Sequence, residues 1–113
     1  ARIDTGDHVT KAGTIMGTPY YMSPEQVKGQ HTDRRSDIYS LGITFYQMVC
    51  GEVPFTKGQV VYHHVNTAPE PVIKKAPEIP PFLNDIVMKC IEKDPLARYQ
   101  NCQEIETDLR TLL

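Results

Sequence analysis

Hydrophobic and polar positions divide this chain into stretches of different kinds. Residues 1 to 18 carry Thr5, Gly6, Asp7, Thr10, Lys11, Gly13, Thr14 and Gly17 with only scattered apolar residues between them. That is the composition of a mobile loop, and a loop of this length in a compact domain usually has a function. The run Ser23-Pro24-Glu25-Gln26-Val27-Lys28-Gly29 then reads as a short helix. Serine caps it, proline takes the first helical position, glutamine stands three residues after the cap, and glycine ends it. From Asp37 to Cys50 the apolar residues Ile38, Leu41, Ile43, Phe45, Tyr46, Met48 and Val49 keep to no single stripe. This predicts a helix capped by Ser36 or Asp37, stopped by Gly51 and packed on nearly all sides. So short a chain has few elements with which to surround such a helix, so its packing partners are expected outside this segment.

Gly51-Glu52-Val53-Pro54-Phe55 is a turn, and Gly58 to Asn66 a helix of modest amphipathicity. Residues 67 to 81 hold Pro69, Pro71, Pro77, Pro80 and Pro81, which excludes a regular helix or central strand and predicts a loop. A helix follows from Pro81 to Lys93, with Leu83, Ile86, Val87, Cys90 and Ile91 at helical spacing. After the turn Lys93-Asp94-Pro95, a last helix opens with Asn101 and Glu104 as a capping box and presents Ile105, Leu109 and Leu112 on one side. The sum is a mainly α chain with four or five helices, no strand pattern and no internal repeat.

Composition changes this picture little. The chain has ordinary globular proportions, and with a formal charge of −2 and basic doublets (Arg34-Arg35, Lys74-Lys75) beside acids it has no footprint for nucleic acid. No stretch approaches the ~20 consecutive apolar residues of a membrane span. Cys50, Cys90 and Cys102 are odd in number, widely spaced and set among apolar or helical residues, so they read as reduced core thiols in a cytosolic compartment. The histidines lack metal-ligand spacing, since adjacent side chains such as His63 and His64 point in different directions on a helix. No metal site is expected.

Four blocks carry the candidate chemistry. They are Gly17-Thr18-Pro19-Tyr20-Tyr21-Met22-Ser23-Pro24-Glu25, Asp37-Ile38-Tyr39-Ser40-Leu41-Gly42, Gly51-Glu52-Val53-Pro54-Phe55, and Asp94-Pro95 with Arg98. In this order and spacing they resemble the C-terminal part of the catalytic domain in the eukaryotic-like (Hanks-type) serine/threonine protein kinases. The first resembles the end of the activation segment, with Ser-Pro-Glu in place of Ala-Pro-Glu. The second resembles the start of the central large-lobe helix. Ser-Pro-Glu-Gln paired with Arg-Ser-Asp-Ile-Tyr-Ser-Leu-Gly leans toward bacterial members. The implied fold is the helical C-terminal lobe of the protein-kinase fold, incomplete, without N-lobe and catalytic loop. Residues 1–25 would be activation segment and substrate-binding loop, and 26–113 the helical large-lobe subdomain.

The resemblance assigns roles residue by residue. Thr18 would bond the catalytic Asp and a nearby Lys beneath the acceptor hydroxyl, since a hydroxyl donates and accepts at once; outside the family it is a turn residue. Pro19, Tyr20 and Tyr21 would complete the substrate-binding surface. Glu25 and Arg98 would form a buried ion pair clamping the activation segment to the lobe, a geometry the planar guanidinium suits. Asp37 would accept backbone amides of the catalytic loop, or else serve as a helix cap or first-turn acid. Thr10 and Thr14 are phosphorylation candidates, with Thr5 behind them and Arg2 a plausible partner for the phosphate.

The family's Gly-x-Gly-x-x-Gly, its Val-Ala-Ile-Lys lysine, its His-Arg-Asp loop and its Asp-Phe-Gly do not occur here. No catalytic residue is therefore expected in this chain. ATP and magnesium are expected for the full-length kinase and neither for this chain alone. Protein substrates with Ser or Thr acceptors and the missing N-terminal part of the domain are the expected partners, in the cytoplasm, with membrane tethering of the parent left open. His31-Thr32-Asp33 imitates a catalytic His-x-Asp but stands after the Ser-Pro-Glu segment and fits a surface loop. Asp4-Thr5-Gly6 matches the aspartic-protease tripeptide, yet that chemistry needs a strand-rich dimer. The alternative with more weight is a pseudokinase or docking module without phosphoryl transfer.

Overall fold

The computed structural model describes residues 19–112. Six α-helices follow one another in these residues: α1 (Pro24–Val27), α2 (Arg34–Cys50), α3 (Val60–Asn66), α4 (Val72–Lys75), α5 (Pro81–Cys90) and α6 (Cys102–Leu112). Single 3-10 turns span Pro19–Tyr21 and Pro95–Ala97, and no strand occurs among the described residues. None of the helices is long and apolar enough to cross a membrane.

Local chemistry explains most element boundaries. Ser23 caps α1 by accepting the Gln26 N–H, and the Gln26 side chain accepts the Ser23 N–H in return. α2 begins three residues before the predicted Asp37, because Asp33, rather than Ser36 or Asp37, caps it and accepts the Arg35 N–H at 2.8 Å. Ser36 and Asp37 fall inside the first turn instead. Gly51 ends α2 at φ 83°, a left-handed conformation that costs any side-chain-bearing residue, and its N–H bonds the Gln47 carbonyl.

Three further boundaries depart from the expectation. α3 starts at Val60 rather than Gly58, since Gly58 adopts φ 70° and Gln59 is irregular. α4 lies inside the predicted loop: the prolines at 69, 71 and 77 flank residues 72 to 75 without entering them, and Asn84 accepts the Ile73 N–H at 3.0 Å. α5 stops at Cys90 instead of Lys93. The carbonyls of Glu92 and Lys93 turn to the Arg98 guanidinium, which a continuing helix would forbid. In α6, Asn101 accepts the Glu104 N–H, but the Glu104 carboxylate reaches Gln100 N–H rather than Asn101, so the capping box is displaced by one residue.

The core forms where α2 crosses α5, with α4, α6 and the Pro19–Tyr21 turn around it. Ile38, Tyr39, Ile43 and Tyr46 of α2 are buried against Val72, Ile86, Val87, Cys90 and Ile91. Gly42 sets the crossing distance: a Cβ there would stand 2.5 Å from Cys90 Cβ and 2.7 Å from Ile91 Cγ2. Within this chain α2 is not enclosed, and the sequence reading places its further packing partners outside this segment. The neighbouring elements reach one broad face, Leu41, Phe45 and Val49 are half-buried, and Met48 is 74% exposed. Of the three free cysteines only Cys90 is a core thiol, and burial pushes its pKa up to about 12. Cys50 is half-buried, and Cys102 is exposed because α6 meets the core only from Ile105 onward.

Candidate functional site

Glu25 stands in the first turn of α1 and Arg98 just past the Pro95–Ala97 turn, and the two meet in the interior. Arg98 Nη1 bonds Glu25 Oε2 at 2.6 Å and Nη2 bonds Oε1 at 2.8 Å, a bidentate fork with both residues buried. The rest of the guanidinium is also bonded. Nε donates to the Glu92 carbonyl, Nη1 to that of Arg35 and Nη2 to that of Lys93, at 2.7, 2.9 and 3.1 Å. All five N–H donors of an arginine are thus used, and the cation lies 4.9 Å from the Tyr39 ring centroid. Ser36 donates a further bond to Glu25 Oε2 at 2.6 Å. Burial pushes the Glu25 carboxyl up, but the Arg98 and Ser36 hydrogen bonds outweigh it and hold the group below the ordinary carboxylate value.

One face of α2 carries the Pro19–Tyr21 turn. Ser40 Oγ donates to the Tyr21 carbonyl, and the Tyr21 hydroxyl donates to Gln47 Oε1 one to two helical turns further along. Beside the turn, Tyr20, Tyr21, Gln47, Gly51, Glu52, Val53 and Thr56 line an open cavity of about 320 Å³. Tyr20 is 38% exposed at its rim. Glu52 also pairs with Lys75 at 3.0 Å, so one anionic and several neutral polar groups face this space.

Behind the turn sits His64, fully buried in α3. Its Nδ1 lies 2.8 Å from the Tyr39 hydroxyl and its Nε2 3.1 Å from the Tyr20 carbonyl oxygen. Phe55 packs edge-on to it at 5.2 Å. Lys93 closes the same region, donating to the His63 carbonyl at 2.9 Å with its ammonium 4.8 Å from the Phe55 ring centroid. Burial, with the Lys93 charge nearby, pushes the His64 pKa down to about 4, and burial lowers that of Lys93 to about 8.

Among the other sequence candidates, Asp37 is half-buried in the first turn of α2, where it complements the positive end of the helix. Thr18, Thr10, Thr14 and Thr5 lie outside the described residues. His31-Thr32-Asp33 is spent on structure, since Asp33 caps α2 and pairs with Arg35 at 3.0 Å. Among the described residues no group of three or more His, Cys, Asp or Glu side chains is placed to hold a metal ion.

Sequence reasoning offered Ser36 only as a helix cap, set His64 aside as a metal ligand, and passed over Gln47. Nothing in the local sequence signals the bond from Ser36 to Glu25 or that from Tyr21 to Gln47. His64 did carry a signal: it stands four residues after buried Val60, on the same face of α3.

Comparison with known proteins places this architecture in a family. Residues 4–109 match the family model for the protein kinase domain. The serine/threonine-protein kinase PknB of Mycolicibacterium smegmatis is 40% identical over 112 residues, covering 96% of this chain and 18% of that protein. The probable serine/threonine-protein kinase CPE1738 of Clostridium perfringens is 43% identical over 107 residues, covering 92% and 16%. PknB of Mycobacterium tuberculosis is 39% identical over 109 residues, covering 94% and 17%. The chain thus spans less than a fifth of the length of the relatives it matches. With its helical architecture and a match running through nearly its whole length, the chain belongs to the protein kinase family.

Proposed function

We propose that this segment is the substrate-facing and regulatory part of a serine/threonine protein kinase that transfers the γ-phosphate of ATP to Ser or Thr hydroxyls of proteins. The observation that carries this reading is the Pro19–Tyr21 turn held against α2 beside a cavity of about 320 Å³, the size and polarity of a cleft for one or two peptide side chains. Residues 1–25 act as activation segment and substrate-binding loop and 26–113 as the helical lobe. Pro19, Tyr20 and Tyr21 border the acceptor peptide, and Thr18 takes the hydroxyl side of the site. The Glu25–Arg98 pair clamps this segment to the lobe. Asp37 offers its carboxylate to backbone amides of the catalytic loop. Phosphorylation of Thr10 or Thr14 orders the activation segment through new charge-assisted bonds.

Phosphoryl transfer needs metal ions and donors fixed around the phosphates. ATP and magnesium are bound by the rest of the kinase domain, in the cytoplasm, and this chain alone is inactive. The test is phosphate transfer from ATP to matched Ser, Thr and Tyr peptides by the whole protein that carries this segment. Transfer to Ser or Thr and not Tyr is expected, lost in Thr18→Ala. Absence of transfer, or preference for Tyr, overturns the reading and favours a docking module. Turnover of ATP by the 113-residue chain alone contradicts the assignment of the chemistry elsewhere.

A further inference from the structure

The kinase reading leaves one buried polar side chain without a task. His64 is 0% exposed. Burying an imidazole costs free energy unless both ring nitrogens are bonded, and both are, each to a different element. The Tyr20 carbonyl only accepts, so Nε2 carries the proton. A neutral ring then has its lone pair at Nδ1, and the Tyr39 hydroxyl donates to it. The bonds run in one direction, from α2 through the ring in α3 to the turn.

The surroundings favour the neutral ring. Tyr39, the Phe55 ring and the Tyr20 carbonyl enclose it, and the charge from neighbouring elements that bears on it is the Lys93 ammonium, with His63 beside it in α3. Ser40 and Gln47 hold the turn by Tyr21, from α2. His64 holds it by Tyr20, the residue at the cavity rim. An apolar side chain would fill the same volume but could not donate to the Tyr20 carbonyl.

We infer that His64 is a positioning residue for the acceptor peptide: oriented by the Tyr39 hydroxyl, its Nε2–H fixes the Tyr20 carbonyl and with it the Pro19–Tyr21 turn at the edge of the peptide cavity. The inference rests on the kinase reading for what the turn contacts, but the relay itself is independent of it. Because the relay ends on the peptide side, its loss raises KM for the peptide and leaves KM for ATP unchanged.

Two readouts on the whole protein that carries this segment test it. The first is steady-state transfer to a Ser peptide by His64→Leu, Tyr39→Phe and, as control, Tyr46→Phe. Tyr46 is also buried on α2, but its hydroxyl serves the Glu70 carbonyl at 2.7 Å and not the turn. Peptide KM is expected to rise about fivefold in Tyr39→Phe and about tenfold in His64→Leu, the size of one or two lost hydrogen bonds. KM for ATP stays at the wild-type value in both, and Tyr46→Phe shifts neither. Wild-type peptide KM in both variants, or an equal rise in Tyr46→Phe, overturns the inference. The second readout is the 15N spectrum of the His64 ring at neutral pH, in which Nε2 protonated and Nδ1 bare is expected. An Nδ1–H tautomer, or a ring averaging between the two, overturns it. If the wild-type protein transfers no phosphate, the kinase reading fails, and the relay stands or falls on the ring spectrum.

Discussion

At the scale of single residues, the fold relies on charged and polar groups taken out of water with every partner in place. Arg98 is the clearest instance, with five donors on five acceptors from Glu25, Arg35, Glu92 and Lys93. A lysine there would offer three donors from one point and leave carbonyls unmet. His64 is the second, and it makes stability depend on pH. Its ordinary pKa near 6.5 falls to about 4 in the folded chain, chiefly because burial disfavours the charged ring. The unfolded state therefore binds the proton first as pH drops. The His64 contribution is fully present above about pH 6.5 and is lost as pH falls toward 4, by up to roughly 3 kcal/mol. Glu25, held below its ordinary value, adds a loss that begins lower, as its unfolded carboxyl protonates. Urea unfolding across this range should show the upper part of the decline in wild type and not in His64→Leu. An identical profile in both would place the acid sensitivity elsewhere.

At the scale of elements, α2 and α5 approach so closely that only glycine fits at their crossing. The Gly42→Ala methyl would collide with Cys90 Cβ and Ile91 Cγ2, one of them the stiff root of a side chain, so the helices must part. Overpacking of this kind costs about 1 to 3 kcal/mol, although alanine favours a helix intrinsically. Thermal unfolding of Gly42→Ala should show a fall in midpoint, whereas a rise would mean that helix propensity outweighs the contact. Local signals of this sort explain what was legible from sequence. Ser23-Pro24-Glu25-Gln26 and Gly51 announced a helix start and a helix stop because caps are short-range chemistry. The start of α2 was misplaced because Asp33, Ser36 and Asp37 are all plausible caps and the choice falls to which side chain finds a free N–H. α4 was missed because prolines on both sides masked four residues whose helix depends on a distant Asn84. The even spread of apolar residues on α2 signals more packing than this chain supplies: its elements cover one face and leave Met48 exposed.

At the scale of the whole molecule, long-range pairs join the ends of the described chain and were visible only through family resemblance. Nothing in the local sequence of Glu25 or of Arg98 points to the other. His64, by contrast, was within reach of a local argument, yet its two partners come from α2 and the turn, which no spacing rule connects. On the proposed kinase reading, the buried Glu25–Arg98 fork ties α1, which follows closely on the Pro19–Tyr21 turn, to the helical lobe and so supports transfer to the peptide. Breaking a buried pair by removing one partner costs about 3 to 5 kcal/mol, mostly through the charge left behind. A double-mutant cycle in the whole protein that carries this segment tests this directly, with kcat/KM for a Ser peptide measured in wild type, Glu25→Gln, Arg98→Met and the double variant, each folded by circular dichroism. Each single change is predicted to lower kcat/KM at least about tenfold and the pair to be no worse than the worse single, as for groups acting as one unit. Wild-type kcat/KM in either single variant, or losses that multiply in the pair, would contradict it.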